Sequence, residues 1–224
     1  RHTRYWRDWS SDVCSSDLSV PVINGLSDFC HPCQIMADLQ TIEEHRGRLT
    51  SLKIAYVGDG NNVTNSLIFA AGVLGLDLHV GAPHGYQPAD PVLERARQLA
   101  LQSDGEIVVH DDPLAAVDGA DVVYTDSWVS MGQESESAER MKVFPPYQVN
   151  SALLSRARPD AIVMHCLPAH RGLEITDEVM DGPHSVVFDQ SENRLHAQKA
   201  ILTLLDRKST RLNSSHANIS YAVF

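Results

Sequence analysis

From Leu52 onward, short apolar runs alternate with stretches of helical periodicity. Leu52 to Val57, Asp77 to Val80, Glu106 to His110, Asp121 to Thr125 and Ala161 to Met164 are rich in β-branched or aromatic side chains and too short for helices. They read as buried strands. Between them, Asn65 to Leu74, Pro91 to Gln102, Pro113 to Val117 and Asn150 to Ala157 read as helices, two of them opening on proline. Ahead of this block, Pro21 to Cys30 is extended and turn-rich, with Ser27 or Asp28 available as a cap. A helix follows from about Pro32 to Arg46-Gly47, with Ile35, Met36, Leu39 and Ile42 on its buried stripe. Behind the block, Ser185 to Phe188 reads as a last short strand. Glu192 to Leu205 reads as a closing helix with Leu195, Ile201, Leu202 and Leu205 turned inward.

Alternation of this kind predicts an α/β fold with a doubly wound parallel sheet, its five strands in the order 3-2-1-4-5. Strands 1, 4 and 5 each end in a polar group: Gly58-Asp59-Gly60-Asn61-Asn62, Asp126-Ser127-Trp128-Val129-Ser130-Met131-Gly132 and His165-Cys166. In that order the three ends are neighbours at the switch point, so Asn62, Asp126 and Cys166 are expected to share one crevice.

Composition narrows the chemistry. With 224 residues, 43% of them hydrophobic, the chain can bury a full core. No run approaches the roughly 18 apolar residues of a membrane span, and no signal-peptide layout is present, so the cytoplasm is the expected compartment. The four cysteines are too few and too unevenly spaced for a disulfide framework. A net charge of −11 argues against nucleic acid and for a small-molecule site. Residues 1–18 and 207–224 show neither helical nor strand periodicity. They resemble translated adapter or vector sequence and are set aside as non-native tails.

Each candidate site has a plainer reading beside it. Gly58 to Val63 is a poor dinucleotide fingerprint, because Val63 stands at the third glycine position and Asp59 carries a negative charge where a pyrophosphate would lie. It could equally be an Asn-capped turn or present an Asn amide to a polar substrate. Cys30-His31-Pro32-Cys33, at a helix start, could be a redox pair, or half of a zinc site with His165 and Cys166. Alternatively, His31 and Gln34 in the first helical turn face an anion or carbonyl. Asp126 could be an ordinary strand exit, and His165 and Cys166 ordinary core residues.

Taken together, His31-Pro32-Cys33-Gln34, Asp126-Ser127-Trp128-Val129-Ser130-Met131-Gly132 and His165-Cys166-Leu167-Pro168 resemble the signature set of ornithine carbamoyltransferases, with the likeness running from about Val20 to Leu205. The resemblance implies transfer of a carbamoyl group from carbamoyl phosphate to L-ornithine, giving L-citrulline and phosphate. No cofactor and no metal is implied, and the assembly is a homotrimer or trimer-based oligomer. His31, Gln34, Cys166, the backbone of Leu167 and Arg194 would contact carbamoyl phosphate. Asn62, Asp126, Ser130 and Met131 would hold ornithine, and Cys166, Asp126 and His31 would act in catalysis. The implied division is a remnant of the carbamoyl-phosphate domain with a linker helix (19–48), an ornithine-binding domain (49–190) and a helix packing toward the N-terminal domain (191–206). The family's Ser-x-Arg-Thr phosphate loop has no counterpart here, so this chain alone is expected not to turn over carbamoyl phosphate. A carbamoyltransferase for another amine such as putrescine, or a redox or binding module built on Cys30 and Cys33, are the alternatives.

Overall fold

Five strands, β1 (Lys53–Val57), β2 (Asp77–Gly81), β3 (Glu106–His110), β4 (Val122–Thr125) and β5 (Ile162–His165), form one parallel sheet in the order β3-β2-β1-β4-β5. The expected α/β class and strand order both hold in this computed structural model, which describes residues 21–129 and 134–209. The chain reverses direction across the sheet between β1 and β4. Their register pairs Val57 with Thr125, and Thr125 in turn pairs with His165. Gly58, Asp126 and Cys166 therefore leave the sheet side by side.

Because both faces are covered, the strands are mostly apolar and divide their side chains by the two-residue period. Ile54, Tyr56, Leu78, Val80, Val122, Tyr124, Ile162 and Met164 form one core with Leu39 and Ile42 of α1 (Pro32–Arg46), Leu67 and Ile68 of α2 (Asn62–Leu74), and Leu93 of α3 (Asp90–Ala100). Ala55, Val57, Val123 and Val163 face the other way, onto Val117 of α4 (Pro113–Val117) and Val179 of a one-turn helix (Asp177–Met180).

The polar stretch after β4 contains a helix, α5 (Ser137–Val143), and the segment expected to be helical from Asn150 shortens to one turn, α6 (Ser151–Leu154). That makes the Asp177–Met180 turn α7. The expected strand at Ser185 is only an isolated bridge to Val163, and Val187 already opens the closing helix, α8 (Val187–Ser209). Leu195 and Leu202 are exposed rather than turned inward, as is Met36 of α1. The cause is the chemistry of the α1/α8 contact. It is made largely by Gln190, Asn193 and Arg194, which hydrogen-bond to Asp38, Thr41 and Gln34, so the polar face of α8 is the buried one. No helix among the described residues is long and apolar enough to cross a membrane.

Candidate functional site at the sheet switch point

Asp126 is the first residue beyond β4, and its carboxylate is buried. One oxygen, Oδ1, accepts the Ser127 backbone N–H at 2.7 Å and the Cys166 thiol at 2.9 Å. The other, Oδ2, accepts the Asn61 side-chain amide at 2.7 Å. Residues following three neighbouring strands thus converge on one carboxylate. Burial, and then the adjacent Asp126 charge, push the Cys166 thiol well above the ordinary cysteine range. Cys166 is therefore a protonated donor at neutral pH and not a thiolate nucleophile.

Cys166 is itself held by a buried relay. Glu174 accepts the Nε2–H of His165 at 3.1 Å, which leaves Nδ1 of that ring as a lone pair, and Nδ1 accepts the Leu167 backbone N–H at 2.9 Å. Leu167 is held there in the left-handed region at φ 59°. Its N–H is spent, so any backbone contact it offers a ligand comes from its carbonyl. Asp126, His165 and Cys166 could between them offer three metal-ligating atoms within 4.8 Å of one another, but both His165 nitrogens are already engaged.

His31 and Gln34, two of the residues expected to contact carbamoyl phosphate, stand at the start of α1, where α2 ties the preceding segment down. Asn62 donates its amide to the Ser27 carbonyl at 2.8 Å, Asn65 donates to Phe29, and Ser66 Oγ accepts the His31 backbone N–H. His31 caps α1 in place of the expected Ser27 or Asp28, with Pro32 fixing the first turn. Desolvation, and then Arg194, push the His31 ring down to about 4, and its buried Nδ1 has no hydrogen-bond partner. It is a neutral imidazole at pH 7. Gln34 is buried and accepts from Arg194 of α8 through its carbonyl oxygen.

The plainer readings divide. The Gly58 turn is the Asn-capped one: Asn61 Oδ1 accepts from the Val63 and Thr64 backbone. No pyrophosphate fits there, because a Cβ on Gly60 would already lie 2.4 Å from Pro88 N, and Asp59 is committed to Arg140 at 2.8 Å. The redox reading of Cys30 and Cys33 fails on the same physics. Both are buried, and burial raises both thiols, which disfavours the thiolate a redox pair needs.

Three participants escaped the sequence reading. Asn61, not Asn62, is the amide on Asp126. Asp38 of α1 lies under Gln34. Arg140 of α5 is buried, pairs with Asp59 and Glu136, and donates to the Trp128 carbonyl at 2.8 Å. It thereby ties both ends of the segment holding Ser130 and Met131, which lie outside the described residues. Nothing in local sequence distinguishes Arg140 from its charged neighbours on α5.

The pattern described as the Asp/Orn binding domain of aspartate/ornithine carbamoyltransferase matches residues 50–205, and that of the carbamoyl-P binding domain matches residues 1–44. An ornithine carbamoyltransferase of Thermococcus kodakarensis is 59% identical over 187 residues, covering 84% of this chain and 59% of the relative. One from Carboxydothermus hydrogenoformans is 60% identical over 186 residues, covering 83% and 60%. Among solved structures, the ornithine carbamoyltransferase from Pyrococcus furiosus superimposes with a TM-score of 0.81 at 49% identity, covering 92% of this chain and 72% of that one. The enzyme from Gloeobacter violaceus gives 0.77 at 50%, covering 84% and 62%. The chain thus spans about three fifths of the length of these curated relatives. With its motifs, its strand order and 156 of its residues matched by one domain pattern, this chain belongs to the aspartate/ornithine carbamoyltransferase family.

Proposed function

We propose that this chain supplies the ornithine-binding half, and part of the carbamoyl-phosphate set, of an enzyme that carbamoylates the δ-amine of L-ornithine to give L-citrulline and phosphate. The observation that carries the reading is the Asp126 carboxylate, buried at the switch point and oriented by Asn61, Ser127 and Cys166. A carboxylate so placed suits the α-ammonium of an amino acid. Asn62, Ser130 and Met131 complete the ornithine set, with Asn62 for the substrate's carboxylate.

In the reaction the δ-amine attacks the carbamoyl carbon. A C–N bond forms, the C–O bond to phosphate breaks, phosphate leaves with the bonding pair, and the proton the amine gives up passes to that phosphate. Freeing the amine's lone pair at neutral pH costs about three pK units, roughly 4 kcal/mol, which a desolvating crevice lowers. Cys166 stays a thiol and acts by position, donating to the carboxylate that would hold the substrate's α-ammonium. The Arg194 guanidinium supplies donors for the oxyanion of the tetrahedral intermediate, beside His31, whose ring stays neutral. His31, Gln34, Cys166, the Leu167 carbonyl and Arg194 form the carbamoyl-phosphate set. The family resemblance supports a trimer or trimer-based assembly and a cytoplasmic setting for the complete protein.

The test is a citrulline assay on this chain joined to a complete carbamoyl-phosphate domain, with L-ornithine and putrescine as competing acceptors. Citrulline formation with ornithine strongly preferred supports the reading. Preference for putrescine would move the assignment to the other amine, since putrescine has no α-ammonium for Asp126.

A further inference from the structure

Asp38 is fully buried on α1 and, among the described residues, meets no cation directly. Its Oδ1 accepts from Gln34 Nε2 at 2.8 Å and Gln190 Nε2 at 2.7 Å, and its Oδ2 accepts the Tyr124 hydroxyl at 2.9 Å. Gln190 in turn accepts the His165 backbone N–H at 2.9 Å, so the carboxylate joins α1, β4, β5 and α8. Burying an ionised carboxylate among neutral donors is costly, and a leucine would fill such a place more cheaply.

The direction of the Gln34 amide explains what Asp38 does there. Nε2 points at a carboxylate and the carbonyl oxygen accepts from the Arg194 guanidinium. Flipping the amide would set oxygen against carboxylate and NH2 against guanidinium, so only one orientation is stable. The Gln34 oxygen, with one lone pair on Arg194, retains a second. We infer that Asp38 is a positioning residue that holds the Gln34 amide with its NH2 on the carboxylate and its oxygen turned away as an acceptor, so that the site selects an acyl phosphate whose acyl carbon carries an N–H donor. The inference rests on the carbamoyl-transfer reading and adds to it the means of discrimination: a methyl in place of the amino group leaves the Gln34 oxygen unpaired, and buried unpaired acceptors are penalised heavily.

The experiment compares carbamoyl phosphate with acetyl phosphate as its competitor, on the protein completed by its carbamoyl-phosphate domain. The wild type should favour carbamoyl phosphate by about tenfold or more. Asp38→Ala and Gln34→Met should each reduce that preference to about threefold or less, and the double variant should go no further, because Asp38 acts through Gln34. Asp38→Asn keeps an oxygen toward Gln34 and Gln190 and should retain the preference. A wild type that does not distinguish the two phosphates, a folded Asp38→Ala that still does, an additive double variant, or an Asp38→Asn that loses the preference would each overturn the inference. If Asp38→Ala does not fold, the wild type and Asp38→Asn decide it. The 15N signal of the Gln34 side-chain amide in this chain reads its orientation without turnover. It should be hydrogen-bonded and protected in the wild type and in Asp38→Asn. A wild type that makes no citrulline while this amide is protected would defeat the proposed reaction and not the role of Asp38, whereas a freely exchanging amide would defeat the latter alone.

Discussion

Cys166 Sγ lies 2.9 Å from Asp126 Oδ1, a thiol donating to a buried carboxylate across two adjacent parallel strands. The pair exists because β4 and β5 end in register and each places a polar residue one step beyond its last ladder position. The relationship assigns the two groups different work. In the proposed reaction Asp126 would meet the substrate's α-ammonium, and Cys166 would limit where that ammonium can sit.

Replacing Asp126 by Asn in the completed protein should raise the KM for ornithine by roughly a hundredfold while leaving that for carbamoyl phosphate within about threefold, since a buried ammonium left without its carboxylate costs several kcal/mol. Steady-state kinetics with each substrate varied in turn gives the answer. Equal weakening of both would mean that Asp126 holds the site together without recognising ornithine.

Arg140→Met should cost about 3–5 kcal/mol, because it leaves Asp59 buried without its cation and frees the Trp128 carbonyl. Asp59→Asn in the same background should recover part of the loss. Urea unfolding measures both, and a loss below about 1 kcal/mol, the range of exposed pairs, would count against the clamp.

Asp38 and His31 impose opposite pH dependences on folding. Desolvation raises Asp38 from 3.8 to about 6, so between those values the folded chain binds more protons than the unfolded one, and stability falls as pH rises by roughly 3 kcal/mol in all. His31 is lowered from 6.5 to about 4, so over that window the unfolded chain binds more protons and stability rises with pH. Removing the first with Asp38→Asn should therefore make the variant gain on the wild type by about 3 kcal/mol between pH 4 and pH 7. A pH-independent difference between the two proteins would show that Asp38 titrates normally.

Cys30 and Cys33, buried and pushed upward by that burial, should resist alkylation at pH 7 for as long as the chain stays folded. Iodoacetamide labelling with peptide mass mapping, beside a urea-denatured control, follows each cysteine separately. Rapid native labelling of Cys30 would restore the redox alternative.

The strand runs from Leu52 to Val57 and from Asp121 to Thr125 already pointed to the sheet, because strands covered on both faces are apolar along most of their length, and the handedness of crossovers leaves few orders for five such strands. That order alone brings Asp126 and Cys166 together. The motifs around His31, Asp126 and His165 pointed to the family for the same reason that they build the site: each follows directly on a strand or opens a helix. What tertiary structure decided is the long-range pairing of charge. Asp38 finds Gln190, 152 positions away, and Asp59 finds Arg140, 81 positions away. No periodicity marks such partners, because a buried polar residue looks like a surface one until its neighbours are known. The same ambiguity hid the face of α8, where Leu195 and Leu202 meet solvent and Gln190 and Asn193 meet α1. Asn61 and Asn62 are adjacent and chemically identical. Only the turn into α2 decides that the first reaches Asp126 and the second reaches Ser27.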